Sequence, residues 1–206
     1  MKRRTFLMTG AAAALATRPA LAQETEEGAL PEVMELVLGN PDAEVEVIEY
    51  ASFTCPHCAT FHAGPFKELK ENYIDTGKIR FVYREVYFDR PGLWASMIAR
   101  CPDDTGFFFR MAEALYATQR EWLASGDPAI IIGELRKMAK TAGLDDAMLD
   151  ECLSDAPKAE ALYTWYQENA ERDGITGTPS FMIDGEMNKN MSWDAFAAIL
   201  DEKLGA

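Results

Sequence analysis

Two cysteines three positions apart lie where a predicted strand meets a predicted helix, and this junction limits the folds open to the chain. Residues 43–54 alternate apolar and polar side chains and contain several β-branched residues, which predicts a strand. Cys55-Pro56-His57-Cys58 follows, and residues 59–77 then carry the apolar spacing of a helix. A second predicted strand, residues 78–88, completes a strand–helix–strand unit, whose two strands we expect to be parallel.

The rest of the chain separates into a helical stretch and a short strand-rich end. Helical spacing predicts helices at residues 93–101, 105–119, 128–142, 145–153 and 157–173. Strand character returns over residues 179–187, where Asp184-Gly185 is a two-residue hairpin signal, and a last helix is predicted over residues 192–204. This order is typical of an α/β, thioredoxin-like fold, formed by residues 39–91 and 174–206, with an all-helical insertion, residues 92–173, between its halves.

The first 22 residues have the composition of an export signal. Lys2, Arg3 and Arg4 precede an apolar stretch, and Ala20-Leu21-Ala22 is a small-x-small cleavage pattern. We therefore expect residues 1–22 to be a signal peptide and residues 23–38 to form a flexible tail that leads into the domain. The paired arginines are compatible with the twin-arginine export route, and an ordinary Sec signal is the alternative.

Charge and cysteine content restrict the possible partners. Removal of residues 1–22 would take away four basic residues and no acidic ones, which changes the net charge from −14 to −18. Such a chain repels nucleic acid and anionic membrane surfaces, so we expect no nucleic-acid partner. No apolar run reaches the ~18 residues that a membrane-spanning helix needs. Export also favours disulfides, so the four cysteines are most simply two pairs.

Three kinds of site could contain Cys55 and Cys58. A structural zinc site needs about four nitrogen or sulfur ligands, usually as two close pairs. Cys101 and Cys152 lie 43 and 94 residues beyond Cys58, and no second CxxC exists, so we expect no metal site. A structural disulfide between Cys55 and Cys58 would close a very small loop and remove little chain entropy. A redox pair fits best, because the N–H groups and dipole of the helix stabilise a thiolate at its first residue.

The redox interpretation gives each residue of the motif a role. Cys55 is the reactive thiol, and Cys58, one turn further into the helix, is the buried resolving thiol. His57 can add positive charge or a hydrogen bond to the thiolate, and Pro56 shapes the loop. Cys101 and Cys152, both on predicted helices, are then expected to form a structural disulfide, and two buried free thiols are the alternative.

Two segments carry a family resemblance. The stretches EYASFTCPHC and GITGTPSFMIDG resemble the periplasmic disulfide oxidoreductase (DsbA) family of thioredoxin-fold proteins, and the likeness extends over residues 39–204. CPHC is the variant typical of the family's oxidases, and Thr178-Pro179 matches its cis-proline loop. The resemblance implies that this loop lies beside the CxxC motif and presents backbone groups to the client chain. Threonine at position 178 departs from the valine of the best-known oxidases and also occurs in isomerase-type relatives.

The resemblance also assigns a role to an acidic residue. Glu49, six residues before Cys55, matches a carboxylate that the family places beneath the active site, where it assists proton movement. A strand-edge carboxylate that faces solvent is the alternative. The family often has a basic partner on the next strand, and Arg80 and Arg84 are the candidates. His62 is interpreted as an ordinary surface or half-buried residue.

Together these features imply an exported enzyme that forms disulfide bonds in thiol-containing client proteins of the periplasm. We expect a monomer that needs no cofactor, and the resemblance further implies reoxidation by a quinone-linked membrane partner. A disulfide isomerase or reductase is the close alternative, although residues 23–38 are too few for the added domain through which such isomerases dimerise. A non-catalytic client-binding protein is the alternative from another class.

Overall fold

The cysteine motif follows the central strand of a five-stranded sheet in the computed structural model, which describes residues 29–205. The strands are β1 (Leu36–Gly39), β2 (Val45–Ala51), β3 (Ile79–Glu85), β4 (Ser180–Ile183) and β5 (Glu186–Lys189), in the order β1-β3-β2-β4-β5. β2 and β3 are parallel, which confirms the predicted strand–helix–strand unit, and the other neighbours are antiparallel. The predicted signal peptide, residues 1–22, lies outside the described residues.

The turn between β4 and β5 follows from its two residues. Asp184 and Gly185 both have positive φ angles, 47° and 78°, as a two-residue hairpin turn with the right-handed strand twist requires. Glycine adopts this backbone region without strain, and aspartate is among the residues that tolerate it best. The hairpin confirms the prediction made from the sequence.

The first strand, β1, was not predicted from the sequence. Residues 36–38 were assigned to a flexible tail, but β1 pairs antiparallel with β3, and Leu36 is completely buried. Four residues are too few to show an alternating pattern, which is why the strand was not predicted. The strand is stabilised by its pairing with β3. Gly39 ends β1 with φ 83°, and a Cβ atom there would lie 2.4 Å from the Ile79 carbonyl oxygen, so glycine is needed at this turn.

The helix that follows the cysteine motif is divided at Gly64-Pro65. Helix α1 (Pro56–Ala63) ends there, α2 (Pro65–Leu69) begins, and a π-helical turn (Lys70–Ile74) leads towards β3. Proline at the first turn of a helix has no N–H to lose, whereas within a helix it breaks the hydrogen-bond ladder.

The helical insertion lies between β3 and β4. Its members are α3 (Arg90–Ala99), α4 (Thr105–Ala117), α5 (Gln119–Trp122), α6 (Pro128–Thr141), α7 (Asp146–Ser154) and α8 (Ala156–Arg172). All of these except the four-residue α5 begin at an aspartate whose side chain accepts a backbone N–H of the first turn: Asp89, Asp104, Asp127, Asp145 and Asp155. Such caps satisfy otherwise unpaired donors and place negative charge at the positive end of the helix dipole.

One hydrophobic core joins the insertion to the sheet. Phe108 and Trp122 of the insertion belong to the same buried cluster as Phe53, beside the cysteine motif, and Phe181 of β4. The last helix, α9 (Trp193–Leu204), begins at Ser192 and packs Phe196 against Phe181, with ring centroids 4.9 Å apart. Across residues 29–205, the helices are too short or too polar to cross a membrane.

A disulfide between Cys101 and Cys152 connects the end of α3 to α7, with their Cα atoms 5.6 Å apart. The two cysteines are 51 residues apart, so the bond greatly restricts the unfolded chain. A Cys101→Ala/Cys152→Ala variant should lower the free energy of unfolding by about 4 kcal/mol, the value expected for a loop of this length. Denaturant unfolding of the oxidised wild-type protein and of the variant measures this loss, and equal denaturant midpoints would contradict the prediction.

Candidate active site

Cys55 and Cys58 occupy the positions that the helix start predicts for a reactive and a resolving thiol. Cys55 is the N-cap residue of α1, and Cys58 lies one turn into the helix. Both are free thiols; Cys55 is 8% exposed and Cys58 is fully buried. Pro56 and His57 are exposed between them. An attacking molecule can therefore reach Cys55 from the side of Pro56 and His57, whereas Cys58 is shielded.

The two thiols differ in acidity. The pKa of Cys55 is lowered to about 5, mainly because the Cys58 thiol donates a hydrogen bond to its thiolate. The Thr178 side chain and the backbone N–H groups of Cys58 and His57 lower this pKa further, and burial opposes them. The pKa of Cys58 is raised, first by burial and then by its bond to Cys55 and the negative charge of Glu49. Near neutral pH the pair therefore consists of a Cys55 thiolate and a Cys58 thiol.

The Thr178-Pro179 loop faces Cys55 from the other half of the fold. The peptide bond between these residues is cis. The Cys55 thiol contacts the Thr178 carbonyl oxygen at 3.4 Å, so the loop lies directly beside the cysteine pair. The Thr178 hydroxyl is buried and has no hydrogen-bond partner among the described residues while Cys55 is a thiol. It can therefore donate to the thiolate once Cys55 ionises, in agreement with its effect on the Cys55 pKa.

Gln119 also supports the cysteine loop, although nothing in the sequence predicted this role. Its side-chain Nε2 donates to the carbonyl oxygens of Phe53 and Cys55, at 2.8 and 2.9 Å. Gln119 is buried at the start of α5, so the helical insertion fixes the backbone on which Cys55 is placed. A contact across 64 residues leaves no pattern in one sequence, because nothing local marks this glutamine among the other polar residues.

Glu49 lies on β2 and is completely buried, so the interpretation as a solvent-facing carboxylate is wrong. Its partner is His62 of α1, whose Nε2 lies 3.0 and 3.1 Å from the two carboxylate oxygens. The interpretation of His62 as an ordinary surface or half-buried residue is also wrong, since only 9% of it is exposed.

The predicted basic partners of Glu49 have other contacts. Arg80 pairs with Glu35 and Glu46, and Arg84 pairs with Glu35 and Asp173. Side chains alternate between the two faces of a strand, and both arginines lie on the face of the sheet opposite to the one on which Glu49 is buried. The partner of Glu49 is therefore His62, and not Arg80 or Arg84 as predicted from the sequence.

No group of three or more histidine, cysteine, aspartate or glutamate side chains in residues 29–205 is arranged to hold a metal ion. The residues at this site provide a polarised thiol pair, a cis-proline loop and a buried carboxylate–imidazole pair. Thiol–disulfide exchange needs a thiolate that attacks, a second thiol that resolves and a place for one proton.

Comparison with known proteins gives one family match and several related chains. Residues 32–202 match the model of the family described as thioredoxin. A protein of Rickettsia bellii named as a protein-disulfide oxidoreductase is 34% identical over 170 residues, which cover 82% of this chain and 64% of the relative. This chain thus spans less than two thirds of that relative's length. Disulfide bond formation protein D of Bacillus subtilis is 26% identical over 176 residues, covering 82% of this chain and 76% of the relative.

Solved structures show the same fold. The crystal structure of Wolbachia pipientis alpha-DsbA1 superimposes with a TM-score of 0.77 at 27% identity, covering 85% of this chain and 94% of that one. A protein-disulfide isomerase from Novosphingobium aromaticivorans has a TM-score of 0.75 at 27% identity, covering 84% and 98%. The predicted thioredoxin-like fold with a helical insertion is confirmed.

Proposed function

Because the chain belongs to the thioredoxin family, among its DsbA-like members, we propose that it forms disulfide bonds in exported proteins by dithiol–disulfide exchange through Cys55 and Cys58. The observation that carries this proposal is the low pKa of Cys55 beside a buried Cys58 thiol. A thiolate that is stable in the reduced protein favours the reduced form, which makes the disulfide form a strong oxidant.

The reaction begins with the Cys55–Cys58 disulfide. A client thiolate attacks Cys55 Sγ, the Cys55–Cys58 bond breaks, and Cys58 leaves as a thiolate that takes up a proton. A second client thiolate then attacks the client sulfur of the mixed disulfide, and Cys55 leaves as the stabilised thiolate. The client loses two electrons and two protons; Cys58 keeps one proton, and the other goes to solvent.

The surrounding residues have supporting roles in this proposal. Thr178 and Pro179 lie beside Cys55, where backbone groups of their loop can bind an extended client chain. Pro56 and His57 form the exposed surface that a client meets first, and a protonated His57 would favour the Cys55 thiolate further. Glu49 exchanges a proton with Cys58, to which it is electrostatically coupled.

The cellular setting is part of the same proposal. The predicted signal peptide places the protein in the periplasm, where thiol-containing exported proteins are the clients. A quinone-linked membrane protein would restore the Cys55–Cys58 disulfide, and the protein would act as a monomer without a cofactor. The related Bacillus subtilis protein is named for disulfide bond formation, which supports the direction of the reaction.

Equilibration of the cysteine pair with glutathione buffers tests the direction. We expect the disulfide to be reduced by mildly reducing mixtures, and the oxidised protein to introduce a disulfide into a reduced two-cysteine peptide. Cys55→Ser is the matched control and should be inactive in the same assay. A strongly reducing midpoint together with rapid insulin reduction would instead indicate a reductase or isomerase, which the threonine at position 178 also allows. The absence of turnover in both assays would indicate a client-binding protein.

A further inference from the structure

The buried pair of Glu49 and His62 lies next to an open groove. A cavity of ≈ 320 Å³ lies between α1, α2 and α4, with His62, Phe66, Phe109 and Tyr116 among its lining residues. We call this cavity the α1–α4 groove. Its rim is formed by exposed charged residues: Lys67, Lys70, Arg110 and Glu113. Glu49 and Cys58 do not line the groove, so His62 separates the buried carboxylate from solvent.

The proposed reaction requires one proton to reach and leave a fully buried atom in each cycle. Cys58 takes up a proton when its bond to Cys55 breaks and must release it when the disulfide forms again. Cys58 and Glu49 are both completely buried, so transfer between them only moves the proton from one buried group to another. A buried carboxylate that receives the proton still needs a route to solvent.

The position of the His62 ring provides such a route. Its Nε2 lies 3.0 Å from one oxygen of Glu49, and His62 is one of the residues that line the α1–α4 groove. Tyr116 stacks on the ring with centroids 4.2 Å apart, and Phe66 packs on it at 4.4 Å, so the ring is held in one orientation. Imidazole can take up a proton at one nitrogen and release one from the other near neutral pH.

We propose that His62 carries the proton between Glu49 and solvent in the α1–α4 groove. Cys58 then exchanges its proton with solvent through Glu49 and His62, in that order. When Cys58 leaves as a thiolate, a proton passes from His62 to the ionised Glu49 and from there to Cys58, and His62 takes one from solvent. Reoxidation runs the same transfers in reverse. The inference rests on the proposed function, because only a working dithiol pair needs these proton transfers.

The other groups that face the pair do not offer a competing route. Tyr83 of β3 and Tyr116 of α4 bond to each other at 2.6 Å, and burial raises the pKa of both phenols. From β4, the residue opposite Glu49 is the apolar Phe181. Glu85 of β3 is buried on the same face, but both of its carboxylate oxygens are paired with Arg100, at 2.5 and 2.7 Å. The charged residues on the rim of the groove are exposed.

A His62→Gln variant separates proton transfer from structural support. Glutamine can still donate a hydrogen bond to Glu49 but cannot carry a proton at neutral pH. We expect reduction of the Cys55–Cys58 disulfide by glutathione, and the reverse oxidation, to slow by the same factor, about 100-fold, as for loss of a general acid–base group. Because both directions slow equally, the equilibrium constant with glutathione should stay almost unchanged.

Two further measurements sharpen the test. A His62→Ala variant opens the wall of the groove, and imidazole buffer should restore its rate in proportion to buffer concentration, whereas the wild-type rate should not depend on the buffer. Phe196→Leu removes buried aromatic packing from Phe181 at a residue that does not line the groove, and it should keep the wild-type pH profile.

Several results would overturn the inference. One is a His62→Gln protein with the wild-type rate and pH profile; another is a rate loss fully explained by a changed equilibrium constant. If neither His62 variant folds, exchange of the His62 ring N–H proton with water, followed by NMR in the wild-type protein, decides: it should be fast. A ring proton that is protected from exchange would contradict the proposal. Wild-type protein without exchange activity would contradict the proposed function instead.

Discussion

A Cys58→Ala variant should accumulate covalent complexes with disulfide-containing substrates, whereas Cys55→Ala should form none. In the variant, the Cys55 thiolate can still attack a disulfide of insulin or of a model peptide, because its helix position and the Thr178 loop are retained. The resulting mixed disulfide then lacks the neighbouring thiol that would release it. The expected change is from a short-lived intermediate to the main product.

Non-reducing electrophoresis followed by mass spectrometry measures this outcome. The Cys55→Ala variant is the matched control, because it keeps Cys58, a fully buried thiol with a raised pKa. Complexes joined through Cys58, or equal amounts of complex in the two variants, would contradict the assignment of Cys55 as the attacking thiol.

The reduced protein should show a thiolate that titrates near pH 5 and is absent from Cys55→Ser. Absorbance near 240 nm follows the thiolate, and the midpoint should lie near the lowered Cys55 pKa of about 5, compared with 9.0 for an ordinary thiol. A midpoint close to 9.0 would remove the main support for a strong oxidant.

The same shift makes the stability of the reduced protein depend on pH. Its folded-state pKa is below the unfolded value, so between about pH 5 and pH 9.0 the unfolded chain binds more protons at Cys55 than the folded chain. Stability from this group therefore rises with pH across that window, is complete above it, and is lost as pH falls through about 5. Reduced wild-type protein and reduced Cys55→Ser should accordingly differ most in melting temperature near pH 9 and converge below pH 5.

Local patterns in the sequence were sufficient for most of the fold. The alternation before Cys55, the Asp184-Gly185 turn and the Ser192 helix start each depend on residues close together in the chain, and each was found where it was predicted. β1 was missed because its stability comes from pairing with β3, more than 40 residues away, and not from its own four residues.

In the candidate site, too, the features set by neighbouring residues were predicted, and the contacts between distant elements were not. The position of Cys55 at a helix start was visible because it depends on the order of neighbouring elements. The contact of His62 with Glu49 joins a helix to a strand face, and the contact of Gln119 with the cysteine loop joins the insertion to the sheet. Such contacts depend on the packing of distant elements, so the expectation of an arginine partner for Glu49 could be corrected only by the fold itself.

The bonds from Gln119 mean that the insertion is not a detachable module. Excision of residues 92–173 would leave the Phe53 carbonyl without its Gln119 donor, at a cost of about 1–3 kcal/mol for a buried unpaired group. It would also remove Phe108 and Trp122 from the hydrophobic cluster that contains Phe53. A minimal thioredoxin-like protein cut from this chain would keep the cysteine motif but lose the residues that hold it in place, so the unit needed for the proposed reaction is the domain with its insertion.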